Sequence, residues 1–140
     1  MNIKEWLKEL KDLDTLIFEK RQEMLRMWEA VTYSGVSYGE RVQSTRNLNK
    51  RSDMICDIID LEREIKGLEN ELKEKQAILM AQASTLENET QVKIIKLRYV
   101  DFKGWLDIAE ELGKSKRWCL KLHKDAIEKL SYLLKFTSLS

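Results

Sequence analysis

From Ile3 onward, apolar residues fall at positions 3, 6, 10, 13, 17, 24, 27 and 31, in alternating steps of three and four that only Lys20 interrupts. A stripe with that spacing runs along one side of a helix and needs a second helix to cover it. Gly35 is the first glycine and the chain contains no proline, so the pattern predicts one helix over residues 2–31. From Thr32 to Lys50 the period is lost among Tyr33, Ser34, Gly35, Ser37, Tyr38, Gly39 and the run Gln43-Ser44-Thr45-Arg46-Asn47, and the expectation is a connector over 32–51. Its second half carries Arg41, Arg46, Lys50 and Arg51 with no acid before Asp53, which reads as a solvated basic loop ahead of a contact to nucleic acid or a partner.

A second stripe follows Ser52: Met54, Ile58, Leu61, Ile65, Leu68, Leu72 and Leu79, with Lys75 in its single gap. Glu62, Arg63, Glu64, Lys66, Glu69, Glu71, Lys73 and Glu74 flank it, as solvent-facing coiled-coil positions do, and predict a helix over 52–83. Neither stripe can remain in water, because each apolar side chain contributes about 1.5–3 kcal/mol on burial. An antiparallel hairpin within one chain, a parallel dimer, or both would cover them, and spacing does not choose. The heptad stops between Ala83 and Thr90, which sets the expected boundary between an arm, 1–84, and a C-terminal domain, 85–140.

Three shorter helices are expected there: Gln91 to Val100, Trp105 to Leu112 and Lys116 to Leu134. The tight second connection, Gly113-Lys114-Ser115, is the most informative feature. Two helices that cross closely need a small residue on the first, a glycine for the left-handed turn and an apolar plug on the second. Ala109, Gly113 and Cys119 have those properties at suitable spacing, with Ile108, Leu112 and Leu122 on the inner face and Ser115 placed to cap the last helix. Trp105 is expected in the core against Leu97 and Ile127, and Cys119 as an inert buried thiol.

Charge then alters the picture. Lys and Arg number 25 against 24 Asp and Glu over the whole chain, which predicts no partner. Residues 1–90 hold 14 basic and 18 acidic side chains, whereas residues 91–140 hold 11 and 6. Between Lys114 and Lys124 there are five basic residues and no acid. Side chains at the start of such a second helix reach base edges in the DNA major groove. Arg117 and Lys121, four apart on one face, are the candidate base readers, preferably of guanine. Lys114, Lys116 and Lys124 are the candidate phosphate contacts, and the Ser115 hydroxyl serves one role or the other. Trp118 either packs on sugar or a thymine methyl or turns to the preceding helix. The single histidine, His123, is expected at the surface or near phosphate rather than as a catalyst, and it rules out a histidine-based metal site. Two cysteines, Cys56 and Cys119, make no disulfide framework. The expectations are therefore no cofactor, no metal, no catalysis, no membrane span and a cytoplasmic location.

The stretches Leu97-Arg98-Tyr99-Val100, Trp105-Leu106-Asp107-Ile108-Ala109-Glu110-Glu111-Leu112-Gly113-Lys114-Ser115 and Leu122-His123-Lys124-Asp125-Ala126-Ile127-Glu128-Lys129-Leu130 resemble the phage and prophage ArpU/RinA-like transcriptional regulators. The C-terminal domain of that family is similar to the promoter-reading last domain of bacterial sigma factors. The resemblance is close over the C-terminal third and looser over the two long helices. It implies sequence-specific binding of double-stranded DNA and activation of phage late genes in a bacterial host, with Ser115, Lys116, Arg117, Trp118 and Lys121 at the DNA-reading positions. Arg117 and Lys121 stand where the sigma domain tends to carry Glu and Gln, so a sigma-like promoter hexamer is not expected.

The expectation is thus an all-α protein: a long antiparallel coiled-coil helical hairpin followed by a three-helix helix-turn-helix domain. Two copies would join through the arm, which would also be the contact to host RNA polymerase. The competing expectation is a coiled-coil interaction protein that docks on polymerase or another host factor without reading DNA.

Overall fold

The computed structural model describes residues 2–34 and 45–138, with side chains described for 2–33 and 49–133. Its elements are α1 (Ile3–Ser34), α2 (Thr45–Ala83), α3 (Glu89–Tyr99), α4 (Trp105–Leu112) and α5 (Lys116–Ser138), so the protein is all-α. No helix among the described residues is long and apolar enough to cross a membrane.

Both long helices exceed their expected limits. α1 continues to Ser34, just before Gly35, with the Thr32 hydroxyl donating to the Trp28 carbonyl at 2.8 Å. α2 begins at Thr45 instead of 52, so Arg46, Lys50 and Arg51 are helical rather than part of a loop. Arg, Leu and Lys are good helix formers, and extending an existing helix adds one hydrogen bond per residue fixed. Polarity in this stretch therefore governs which face is wet without ending the helix. What remains of the expected connector, 35–44 with Arg41, lies outside the described residues.

The chain divides into two compact units, residues 13–71 and residues 1–12 with 72–140. This division differs from an arm ending at 84, because the first turns of α1 and the last turns of α2 belong with the C-terminal helices.

In the 13–71 unit, α1 and α2 run antiparallel, with Ile17 and Val31 buried from one helix and Ile58, Leu61 and Ile65 from the other. Lys20, the gap in the first stripe, donates to Glu64 at 2.8 Å, and Arg21 reaches Glu69 at 2.6 Å. The gap in the second stripe is filled in the same manner inside the other unit, where Lys75 pairs with Glu9 at 2.8 Å. Each lysine that breaks the apolar period therefore meets a carboxylate from the opposite helix.

In the other unit, the α2 residue Gln76 donates from Nε2 to the Tyr99 carbonyl at 3.1 Å, satisfying an acceptor at the end of α3. α3 starts on Asn88, whose side chain accepts from the Thr90 and Gln91 amides. Ile94, Leu97, Ile108, Ala109 and Cys119 form a buried cluster, with Trp105, Leu112, Trp118 and Leu122 packed around it. The only described non-glycine residue at positive φ is Phe102, at 52° in the loop between α3 and α4.

Candidate nucleic-acid interface

Gly113 ends α4 at φ 66° and ψ 31°, the left-handed conformation that glycine adopts without a Cβ penalty. Its amide donates to Glu110 at 3.2 Å and the Lys114 amide to Ala109 at 3.1 Å, the paired closure that turns a chain sharply out of a helix. No atom lies within 4 Å of a Cβ built at Gly113, so substitution acts through backbone strain alone. Gly113→Ala is expected to cost about 1–2 kcal/mol, read as a lower midpoint in urea unfolding.

Ser115 caps α5, its Oγ accepting from the Trp118 amide at 3.1 Å. The hydroxyl proton remains available to an acceptor outside the chain, beside the unsatisfied first amides of α5 and their positive helix-dipole end. Cys119 is fully buried at the crossing with Ile108 and Ala109, as the plug position requires. The N-cap of α4, Gly104, offers no side-chain bond. Lys103 instead ties the preceding loop to α4 through Glu111 at 2.7 Å, a hydrogen bond that holds the Glu111 carboxyl below its ordinary range.

With Cys119 and Ala126 directed inward, Lys116, Arg117, Lys121 and Lys124 are all exposed. At about 100° per residue these four fall within an arc of about 140° on the outer side of α5. Lys114 lies in the turn with its Nζ 5.5 Å from the centre of the Trp118 ring. None of the five basic residues from Lys114 to Lys124 forms an ion pair among the described residues. Sequence reasoning passed over Leu120, which is 37% exposed in the middle of this face. The three-and-four spacing of Arg117, Leu120, Lys121 and Lys124 could have placed it there.

Trp118 is half-buried against the cluster of Ile94, Leu97, Ile108, Ala109 and Cys119, the core-directed alternative of the two weighed for it. His123 departs from expectation. It is half-buried, shares a 2.6 Å hydrogen bond from Nε2 with the Tyr99 hydroxyl, and stands edge-on to Trp105 with ring centres 4.7 Å apart. Burial, assisted by the nearby charge of Arg98, pushes its pKa down to about 4. Burial also pushes the Tyr99 hydroxyl up to about 12. Arg98 stacks over Trp105 at 5.0 Å and donates to the Lys103 carbonyl at 3.0 Å, so Trp105 is anchored by His123 and Arg98 as well as by the cluster. The position of His123 depends on contacts to α3, which a reading of α5 by itself does not contain.

The class this geometry defines is an all-α protein presenting an exposed basic helix face, from Lys116 to Lys124, beyond a tight interhelical turn. Compared with protein-family models, curated proteins and solved structures, the chain matches none.

Proposed function

We propose that the protein is a sequence-specific, double-stranded-DNA-binding transcription regulator, with α4, the Gly113 turn and α5 acting as a helix-turn-helix and α5 as the recognition helix. The observation that carries this reading is the outer face of α5, where Lys116, Arg117, Lys121 and Lys124 are exposed together, without an ion pair, on a helix held by buried Cys119. In the major groove, Arg117 and Lys121 read guanine O6 and N7. Lys114, Lys116, Lys124 and the Ser115 hydroxyl hold phosphates, while Leu120 supplies an apolar contact suited to a thymine methyl. Trp118 supports this face from below, through the core and Lys114. Phage origin, late-gene activation and action inside a bacterial host rest on the resemblance to ArpU/RinA-like regulators.

Dimerisation through the arm belongs to the same proposal. The heptad seams are used within one chain, so a second copy would meet another face. In the 13–71 unit Phe18 is 62% exposed, Leu25 52% and Trp28 44%, apolar side chains on one helix that this pairing leaves uncovered. The same residues favour a second reading, in which the arm docks on host polymerase or another host factor and α5 reads nothing. Salt dependence separates the two, because phosphate contacts release counterions whereas docking of apolar side chains does not. Sedimentation at micromolar concentration should show twice the 16.6 kDa chain mass, and Phe18→Ser with Trp28→Ser should return the protein to 16.6 kDa. A wild-type species of 16.6 kDa would remove the dimer.

The readers and the phosphate contacts have different signatures. Arg117→Ala is expected to cost about 1–3 kcal/mol on the specific site with little change on random duplex. Lys124→Ala should weaken both equally and reduce the salt slope by about one. Equal losses on both duplexes for Arg117→Ala would refute base reading.

A further inference from the structure

Where the outer face of α5 ends at Lys124, the unit of residues 1–12 and 72–140 contains a cavity of about 560 Å³ between the first turns of α1 and the α3 and α5 helices. That volume lies within the range of small-molecule sites. Leu7 and Ile127, exposed by only 5% and 7%, contribute to its lining together with Phe102. Tyr99 and His123 also line it, but their polar atoms are joined by a 2.6 Å hydrogen bond.

The charge of this cavity is one-sided. Five cationic side chains line it against a single carboxylate, Glu128. Lys4, Lys8 and Lys124 are exposed among them and form no ion pair. Three uncompensated ammonium groups around an apolar site repel one another and attract an anion. Phe102 adds a second, independent feature. A bulky residue at φ 52° costs about 1–3 kcal/mol in backbone strain, and such outliers cluster at ligand clamps. Phe102 lines the cavity, with the Lys11 ammonium 5.4 Å from the centre of its ring.

We infer that this cavity binds a small organic anion with an apolar body, its carboxylate or phosphate held by Lys4, Lys8 and Lys124 and its body lying on Leu7, Phe102 and Ile127. A DNA phosphate would meet the lysines but leave the apolar lining unused, and a neutral hydrocarbon would leave the lysines uncompensated. Only a ligand with both parts satisfies both halves of the lining.

The test titrates the full chain with 2-naphthoate and with its neutral analogue 2-naphthylmethanol, by calorimetry and by backbone amide chemical shifts. Expected are 1:1 binding of the naphthoate below about 1 mM, at least about tenfold tighter than the alcohol, and shifts centred on Leu7, Phe102 and Ile127. Lys4→Gln with Lys8→Gln alters only exposed side chains and should weaken the naphthoate by about tenfold while leaving the alcohol unchanged. Phe102→Gly, which relieves the backbone while deleting the ring, should weaken both. No naphthoate binding at about 1 mM, equal affinity for the two probes, or shifts centred elsewhere would overturn the assignment.

Discussion

Ile108→Ala is expected to remove about 2–5 kcal/mol of folding stability, the usual cost of truncating a fully buried aliphatic side chain. Ile108 is 0% exposed and lies among Ile94, Leu97, Ala109 and Cys119, where α3, α4 and α5 meet. The lost methyl groups leave a void bounded by three helices, which cannot all move inward together. Since whole domains are stable by only about 5–15 kcal/mol, a lower urea midpoint and a clear fall in melting temperature should follow. Leu106 is the control, being on the same helix but 72% exposed, and Leu106→Ala should stay within about 0.5 kcal/mol of wild type. A loss below about 1 kcal/mol for Ile108→Ala would mean that the three-helix core is not assembled as described.

Acid should destabilise the protein through His123. In the folded chain its pKa is pushed down to about 4, below the ordinary value of 6.5. Below pH 6.5 the unfolded chain takes up a proton that the folded chain refuses, so stability is full above that pH and declines as pH falls from 6.5 toward 4. With solvent screening of this half-exposed ring taken into account, the loss is about 1–3 kcal/mol. His123→Gln keeps a partner for the Tyr99 hydroxyl and removes the titration. Its urea midpoint should therefore change less than that of wild type between about pH 7 and about pH 4.5, which spans most of the fall from 6.5 toward 4. Parallel pH dependence in the two proteins would assign the acid sensitivity to carboxylates elsewhere.

Much of the long-helix architecture was legible in the sequence, and the residues show why. Every position of the first stripe, from Ile3 to Val31, is buried or half-buried, and so is every position of the second, from Met54 to Leu79. Even the interruptions carried information, since Lys20 and Lys75 sit on the seam and meet Glu64 and Glu9. Leu7 lies off the alternating pattern yet is 5% exposed, in the unit where the first turns of α1 join the C-terminal helices. The turn at Gly113 and the Ser115 cap of α5 were readable because they depend on local backbone chemistry. The start of α2 was not, because a polar helix end and a polar loop have the same composition.

The candidate interface divides along the same line. The exposure of Lys116, Arg117, Lys121 and Lys124 follows from helical spacing once Cys119 is known to be inside. The inward setting of His123 and the hold of Trp118 on the core involve side chains from α3 and α4. Such contacts join residues distant in sequence, and periodicity along one helix does not contain them.

DNA reading by α5 is the proposal on which the other roles depend. The most direct test measures binding of the purified protein to fragments of a bacteriophage genome at two salt concentrations, beside a variant carrying Lys116→Ala, Arg117→Ala and Lys121→Ala. All three positions are exposed, so the variant should fold as the wild type does. Fragment-selective binding that weakens steeply with salt and is lost in the triple variant is the expected result. Binding that is absent, or indifferent to those three residues, would contradict it and transfer the function to the arm.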